Sequence, residues 1–466
     1  MIAYLIASIL IASAAFLVRR ERQLFQIGLL FYAVQAGFAG AILVGGLYGQ
    51  ESTGWFRFDA PGTLFYVLLC IVSAFAYFHS EAYLRENDLS QTRTYSALVM
   101  LLTAAITGAY FASNLAVTWI FLEATTLCSA GIIYHRRTAQ TLEAAWKYVF
   151  VCSTGIAMAY LGILLLAAAT DCESLDYAAV AAAAPHGNAL YLKTAFLLIL
   201  CGYSCKMELF PLHTVGIDAN FAAPSPASAL ISTGLVNAGF LAIYRVYKAL
   251  ADTEVFPWVC SVLLIVGLLS LVIGALFLRR TNNYKRFLSY STVENMGIAA
   301  IGLGVGGLGV WAAVFHVVCH TFVKSSLFLQ MAVVRQVYNG YRINRIGDYI
   351  HINRVGAIGL LTGMVVLMAF PPSPLFISEL LILRETIAGS QWWLVAGMLL
   401  LLCIVIYSFC SRMIRLCYQP NQDELHPSKV DRALSWSALS LLVAAMVLGF
   451  WQPEFLRELI DQIAMP

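Results

Sequence analysis

Stretches of about twenty apolar residues recur from one end of this chain to the other, and that leaves few folds open. A segment of 18 or more apolar residues is long enough to cross a bilayer as an α-helix. No water reaches backbone amides at that depth, so each spanning segment has to satisfy its own hydrogen bonds. The 466 residues are 61% hydrophobic and 11% charged, against roughly 25% charged in a soluble domain. The expectation is an all-α polytopic membrane protein lying in a lipid bilayer. The first stretch, MIAYLIASILIASAAFLV, is followed rather than preceded by Arg19, Arg20 and Arg22, which suits a retained helix better than a signal peptide. Nothing points to a separate soluble domain, and a net charge of +3 gives no reason to expect nucleic acid as a partner.

Fourteen spans are expected, at about 1–18, 25–47, 63–82, 95–112, 114–134, 147–169, 190–213, 225–248, 256–278, 285–304, 308–334, 354–388 (broken), 391–416 and 433–452. Loops after odd-numbered spans hold 20 of the 28 basic residues, loops after even-numbered spans five, and the C-terminal tail one. Positive charge accumulates on the cytoplasmic side, so both termini are expected outside, in a bacterial or archaeal cytoplasmic (inner) membrane. The two basic residues left over, Lys206 and Lys324, fall deep inside spans.

A charged side chain at mid-span costs ~2.5–3.5 kcal/mol on insertion scales and usually faces a cavity or a partner. Glu123 in span 5, Lys206 and Glu208 in span 7, Glu294 in span 10, Lys324 in span 11 and Glu379 in span 12 all carry that cost. His316, His320 and Lys324 repeat every four residues and so share one stripe of span 11. Acids, histidines and lysines whose proton affinities burial can bring together make a plausible proton relay. A structural ion pair of Glu123 with Lys206, and a core histidine at His316, are the bland alternatives. The 11 cysteines form no CxxC pair, so no metal or iron–sulfur site is expected, and no other cofactor ligands are visible.

Two spans contain prolines. Pro211 follows Lys206 by five residues, and Pro371, Pro372 and Pro374 precede Glu379 in FPPSPLFISELL. A proline frees the carbonyl four residues earlier, here that of Met207, and such backbone is tolerated only where protein or water covers it. Paired breaks suggest an inverted repeat with an ion site at each. Spans 4–8 and 9–13 are the two units, aligning Glu123 with Glu294 and Lys206 with Glu379. The expected divisions are 1–93 (three helices), 94–250, 251–417 and 418–466 (helix 14 and tail).

WIFLEATTLCSAGIIYHRRTAQTLEAAWKYVFVCSTGIAMAYLG, KRFLSYSTVENMGI, HVVCHTFVK and FPPSPLFISELLIL resemble the antiporter-like membrane subunits of respiratory complex I, Mrp-type antiporters and group 4 membrane-bound hydrogenases. The nearest likeness is to the F-type subunit of hydrogenase-4 and formate hydrogenlyase. It covers about 90–460 and is weaker over the first three spans. The resemblance implies that Glu123 and Lys206 form an input pair, that His320 and Lys324 lie on a central polar axis, and that Glu379 serves the exit. Where complex I subunits place a bridging lysine or histidine on span 8, this chain has Ser232 and Asn237, so the connection is expected to run through water or His213. Two departures stand out. HTWLPDAH of the family is HTVGIDAN here, keeping His213, Thr214 and Asp218 but losing a proline, and VEHM is VENM, with Asn295 replacing a histidine. The chain ends after span 14, without the lateral helix of the L-type subunits, so the terminal position in a complex I arm is not expected.

The resemblance implies a proton-translocating subunit with no catalytic centre of its own, inside an energy-converting oxidoreductase complex. The expected partners are other membrane subunits and a peripheral redox arm carrying iron–sulfur clusters, with nickel–iron as one option. Protons are the expected ion, with sodium as the alternative. Rival readings are a cation/proton antiporter subunit, a membrane partner of an inorganic-carbon-handling zinc protein, and an anchor that has lost conduction.

Overall fold

The computed structural model describes residues 1–84, 88–420 and 431–464; parts of the expected C-terminal segment 418–466, namely 421–430 and 465–466, lie outside the described residues. The chain divides into two compact units, one of Met1–Ala227 with Gly234–Val259 and one of Ser228–Thr233 with Cys260–Ala464.

The first unit runs through α1 (Ile2–Leu17), α2 (Glu21–Leu43), a hairpin of β1 (Glu51–Ser52) and β2 (Phe56–Arg57), α3 (Ala60–Leu84) and α4 (Leu89–Phe111). It continues with α5 (Leu115–Ile133), α6 (Ala139–Thr170), α7 (Tyr177–Ala183), α8 (Ala189–Met207) and α9 (Thr214–Ala222). After α10 (Ser225–Leu230), a π-helical turn over Ile231–Leu235 leads into α11 (Val236–Ala249); Ser228–Thr233 of this stretch group with the second unit. Side-chain caps set the starts of these helices. Asn114 accepts from the Ala116 amide at 2.9 Å, and Thr138 and Thr141 form a reciprocal capping box, each meeting amides that a helix start leaves unpaired. α6 and α8 approach closely at small residues, since a Cβ on Gly202 would stand 2.4 Å from the Gly155 carbonyl oxygen. Close packing of this kind holds helices together where no hydrophobic effect separates them from lipid. Arg245 of α11 closes the end of α4, donating to the carbonyls of Tyr110 and Ala112 at 2.7 and 2.6 Å and to Asp59 at 2.8 Å.

The second unit holds α12 (Phe256–Arg280), α13 (Tyr284–Val305), α14 (Leu308–Tyr338), α15 (Tyr349–Ile352) and α16 (Arg354–Leu367). α17 (Pro374–Ala388), α18 (Trp392–Tyr418), α19 (Arg432–Phe450) and α20 (Glu454–Ala464) complete it. α14 is its axis, packed by α13, α16, α17, α19 and α20, and the most apolar stretch of α14 is buried throughout. A helix shielded from lipid on every side is where ionisable residues can be housed.

Among the described residues, eleven helices are long and apolar enough to cross a membrane. The three expected spans outside that group have visible reasons. Ile2–Leu17 and Arg354–Leu367 are shorter apolar helices, and Tyr284–Val305 carries Lys285, Arg286 and Glu294. From sequence, span 7 ends at 213. In the structure α8 stops at Met207 and a second helical piece, α9, follows the break. α20, expected only as tail, is an amphipathic helix that buries Leu459, Ile460 and Ile463, while Trp311 of α14 donates to its Asp461 at 2.8 Å.

Candidate proton-handling groups

In the first unit Lys206 lies in the last turn of α8, 1% exposed. A helix C-terminus carries partial negative charge and favours a cation there. Its ammonium donates to the Thr126 hydroxyl at 2.8 Å, and that hydroxyl donates to Glu123 Oε2 at 3.2 Å. Ser153 of α6 donates to the other carboxylate oxygen at 2.9 Å. The expected Glu123–Lys206 partnership is therefore relayed through Thr126. The Tyr148 ring sits 5.3 Å from the Lys206 nitrogen, close enough for a cation–π contact. α11 lies directly on this turn: a Cβ on Gly239 would stand 2.5 Å from the Met207 amide nitrogen and 3.0 Å from Lys206 Cβ. Asn237, two residues earlier on α11, is buried, and the Tyr110 hydroxyl of α4 donates to the nearby Gly234 carbonyl at 2.7 Å. His213 stands at the N-cap position of α9 without a side-chain capping bond; its ring is stacked against Phe210, and no described residue partners its Nδ1.

In the second unit five of the expected groups are brought within α13, α14 and α17. Glu294, His316, His320 and Lys324 are fully buried and Glu379 is 4% exposed. Asn295 donates to Glu294 Oε2 at 2.6 Å, and its amide oxygen lies 3.2 Å from His316 Nε2. On the far side of the ring, His316 Nδ1 lies 2.9 Å from the Ser378 hydroxyl. The ring thus connects α13 to α17. Lys324 donates to the Leu288 carbonyl and to the Ser291 hydroxyl. Neither nitrogen of His320, one oxygen of Glu294 nor one oxygen of Glu379 meets a hydrogen-bonding side chain or carbonyl among the described residues. Buried polar atoms are almost always satisfied by protein or water. Across the polar stripe of α14, Ser232 of the π-helical turn and Thr292 share a hydrogen bond of 2.9 Å, and Ser325 donates to Thr233 at 3.4 Å. A π turn inside an α-helix is frequent at functional sites.

Sequence reasoning missed the hydroxyls and amides that link these groups: Thr126, Ser153, Ser291, Ser378 and the bridging role of Asn295. Thr126 had a signal, since it stands three residues from Glu123 and so shares its helix face. Ser378 and Ser291 had none, because their partners come from other helices. Among the described residues no three His, Cys, Asp or Glu side chains converge to hold a metal ion.

Buried carboxylates, lysines and histidines held by hydroxyls and amides inside each unit of a multi-helix chain are features of a polytopic membrane subunit that houses ionisable groups. The sequence profile of the family described as "NADH:quinone oxidoreductase/Mrp antiporter, TM" matches residues 112–406, and the chain belongs to that family. It is 30% identical to the hydrogenase-4 component F homolog of Methylacidiphilum infernorum (isolate V4) over 360 residues, which is 72% of this chain and 75% of the relative. It is 28% identical to NADH-quinone oxidoreductase subunit N of Xanthomonas euvesicatoria pv. vesicatoria (strain 85-10), covering 87% of this chain and 83% of that one. In fold it superposes on a chain of the Mrp complex from Dietzia sp. DQ12-45-1b with a TM-score of 0.89, at 18% identity over 99% of this chain and 96% of that chain. The protein is a multi-pass, antiporter-like membrane subunit of the complex I, Mrp and membrane-bound hydrogenase type.

Proposed function

We propose that the protein moves protons across a cytoplasmic membrane as one subunit of an energy-converting redox complex. The observation that carries this is Lys206: an ammonium 1% exposed, beside a helix break, linked to Glu123 by a single hydroxyl. A permanent ion pair needs no such link, whereas a proton carrier gains from one that can open. Charge or hydration changes in a partner would open the Glu123–Thr126–Lys206 link. Lys206 would then release its proton, and His320, Lys324 and Glu379 would receive it in turn, with Glu294 and His316 beside them and His213 and Asn237 along the first unit. Water would complete the chain where His320, Glu294 and Glu379 carry unmatched polar atoms. Fourteen spans, two inverted five-helix repeats (spans 4–8 and 9–13) and both termini outside belong to the same reading. So does a partner arm with iron–sulfur clusters or nickel–iron, since the relatives are subunits of multi-subunit complexes.

The test uses the complex purified with this chain and reconstituted in vesicles. Lys206→Ala and Glu123→Gln should each cut pumping sharply while leaving assembly intact, with Glu123→Asp milder. Wild-type pumping in both Lys206→Ala and Glu123→Gln would end the proposal. The family also spans antiporters, which makes cation/proton exchange the second reading; transport that requires sodium rather than a redox substrate would favour it.

A further inference from the structure

Glu208 has no part in the route above, yet the molecule is shaped around it. It is 1% exposed, two residues beyond Lys206, and ends α8 in the left-handed region at φ 59°. A residue with a long side chain adopts that conformation only at a cost, and helices normally end there on glycine or asparagine. Asn220 of α9 donates to Glu208 Oε1 at 2.9 Å. The carboxylate lies in a slot over Gly216, where a Cβ would stand 2.4 Å from both the carboxyl carbon and Oε1. Gly216 and Asn220 are two of the positions at which HTVGIDAN departs from HTWLPDAH. These departures form a matched set: Gly216 leaves the slot, Asn220 supplies a donor, and the Glu208 carboxylate fills the space between.

A helix cap explains neither the slot nor the choice of side chain. Burying a carboxylate is costly unless it is hydrogen-bonded or takes up a proton, and a glycine at 208 would end α8 at no such cost. We propose that Glu208 is an additional proton-accepting site at the break between α8 and α9, loaded from Lys206. In the transfer an Nζ–H bond of the ammonium breaks and an O–H bond forms on the carboxylate. The products are a neutral amine and a neutral acid, both less costly to bury than the ions. Asn220 holds Oε1 throughout, so Glu208 stays in place in either protonation state. The inference rests on the reading of Lys206 as a proton carrier.

Two variants of the reconstituted complex test it, with proton uptake followed by quenching of an acridine dye. Glu208→Gln keeps the length of the side chain and an oxygen for Asn220. Glu208→Gly combined with Gly216→Leu fills the slot and places glycine at the left-handed position. Both should assemble and pump about a hundredfold or more slower, the scale of losing a positioned proton-transfer group. Infrared difference spectra should show a protonated-carboxyl band that Glu208→Gln removes and Glu123→Gln retains, which a purely structural role would not produce. Wild-type pumping by either assembled variant, or a band unchanged in Glu208→Gln, overturns the inference. Failure of both variants to assemble also overturns it, by marking Glu208 as structural. Loss of pumping in Lys206→Ala alongside normal pumping in Glu208→Gln removes this site alone; normal pumping in both removes the parent reading as well.

Discussion

The two helix breaks use one device with opposite sign. In the first unit Lys206 stands before the break, in the last turn of α8. In the second, Glu379 stands after the break, in the second turn of α17, whose start is set by Pro374 and the Ser373 cap. A helix end carries partial negative charge at its C-terminus and partial positive charge at its N-terminus, and half-helices in membrane transporters turn these ends toward ions. The cation therefore sits at the end of the half-helix that precedes its break, and the acid near the start of the half-helix that follows. The effect fades beyond one turn, so Lys206 gains more from it than Glu379. The ionisable groups at the two breaks differ further in how fully their own polar atoms are matched. Thr126 and Ser153 meet the Lys206–Glu123 group, while Glu379 and His320 keep atoms that no described residue meets.

Reversing a charge at either break is the largest blow available to that comparison. Lys206→Glu would put a carboxylate at a negative helix end, two residues from Glu208, and should prevent assembly, whereas neutral Lys206→Met should assemble and fail to pump. Glu379→Lys should be the milder reversal, because its position is a turn further from the helix end. The amount of complex extracted from membranes reads assembly and dye quenching reads pumping. Equal tolerance of both reversals would show that the half-helix ends do not set the charge at these sites.

Removing the hydroxyl that links the first pair ranks next. Thr126→Val keeps the shape of the side chain and deletes the acceptor of Lys206. A hydrogen bond to a charged group contributes about 1.5–3 kcal/mol, so pumping should fall by about tenfold or more, and Thr126→Ser should restore it. In the second unit Ser378→Ala should cost less, because the Ser378 hydroxyl already bonds its own helix at Leu375. A greater loss from Ser378→Ala than from Thr126→Val would reverse the ranking of the two units.

These linking groups also mark where sequence stops being informative. Apolar length and misplaced charge were readable because each is a property of one segment: a span needs its twenty residues, and a lysine inside it has to be explained. The stripe of His316, His320 and Lys324 was readable for the same reason, since helical spacing alone aligns it. Prolines announced both breaks, but the restart of the chain as α9 was hidden because TVGIDANFA is neither long nor strongly apolar. The partners Ser378, Ser291 and Ser153 were invisible because each reaches its acid, lysine or histidine from another helix. Asn295 and Gly216 were noticed only as departures from a pattern, and coordinates were needed to see Asn295 against His316 and Gly216 beneath Glu208.

The gentlest probe concerns a feature the two units share. In each, an asparagine amide donates to a buried glutamate, Asn220 to Glu208 at 2.9 Å and Asn295 to Glu294 at 2.6 Å. An amide does not exchange protons readily, so Asn295 positions Glu294 and His316 without carrying charge between them. Asn295→His, which restores the residue of VEHM, keeps a ring N–H where the donor was and gives up the second bond to the Ser291 carbonyl. The cost should be that of one neutral hydrogen bond, about threefold in rate, with a pH profile that gains a titrating group. Asn295→Leu deletes all three contacts, leaves a carboxylate oxygen and a ring nitrogen unmatched, and should be several times worse. If Asn295→His instead pumps faster than the native chain, the amide is a bottleneck in the second unit, and the contrast between the units lies in how quickly each passes a proton.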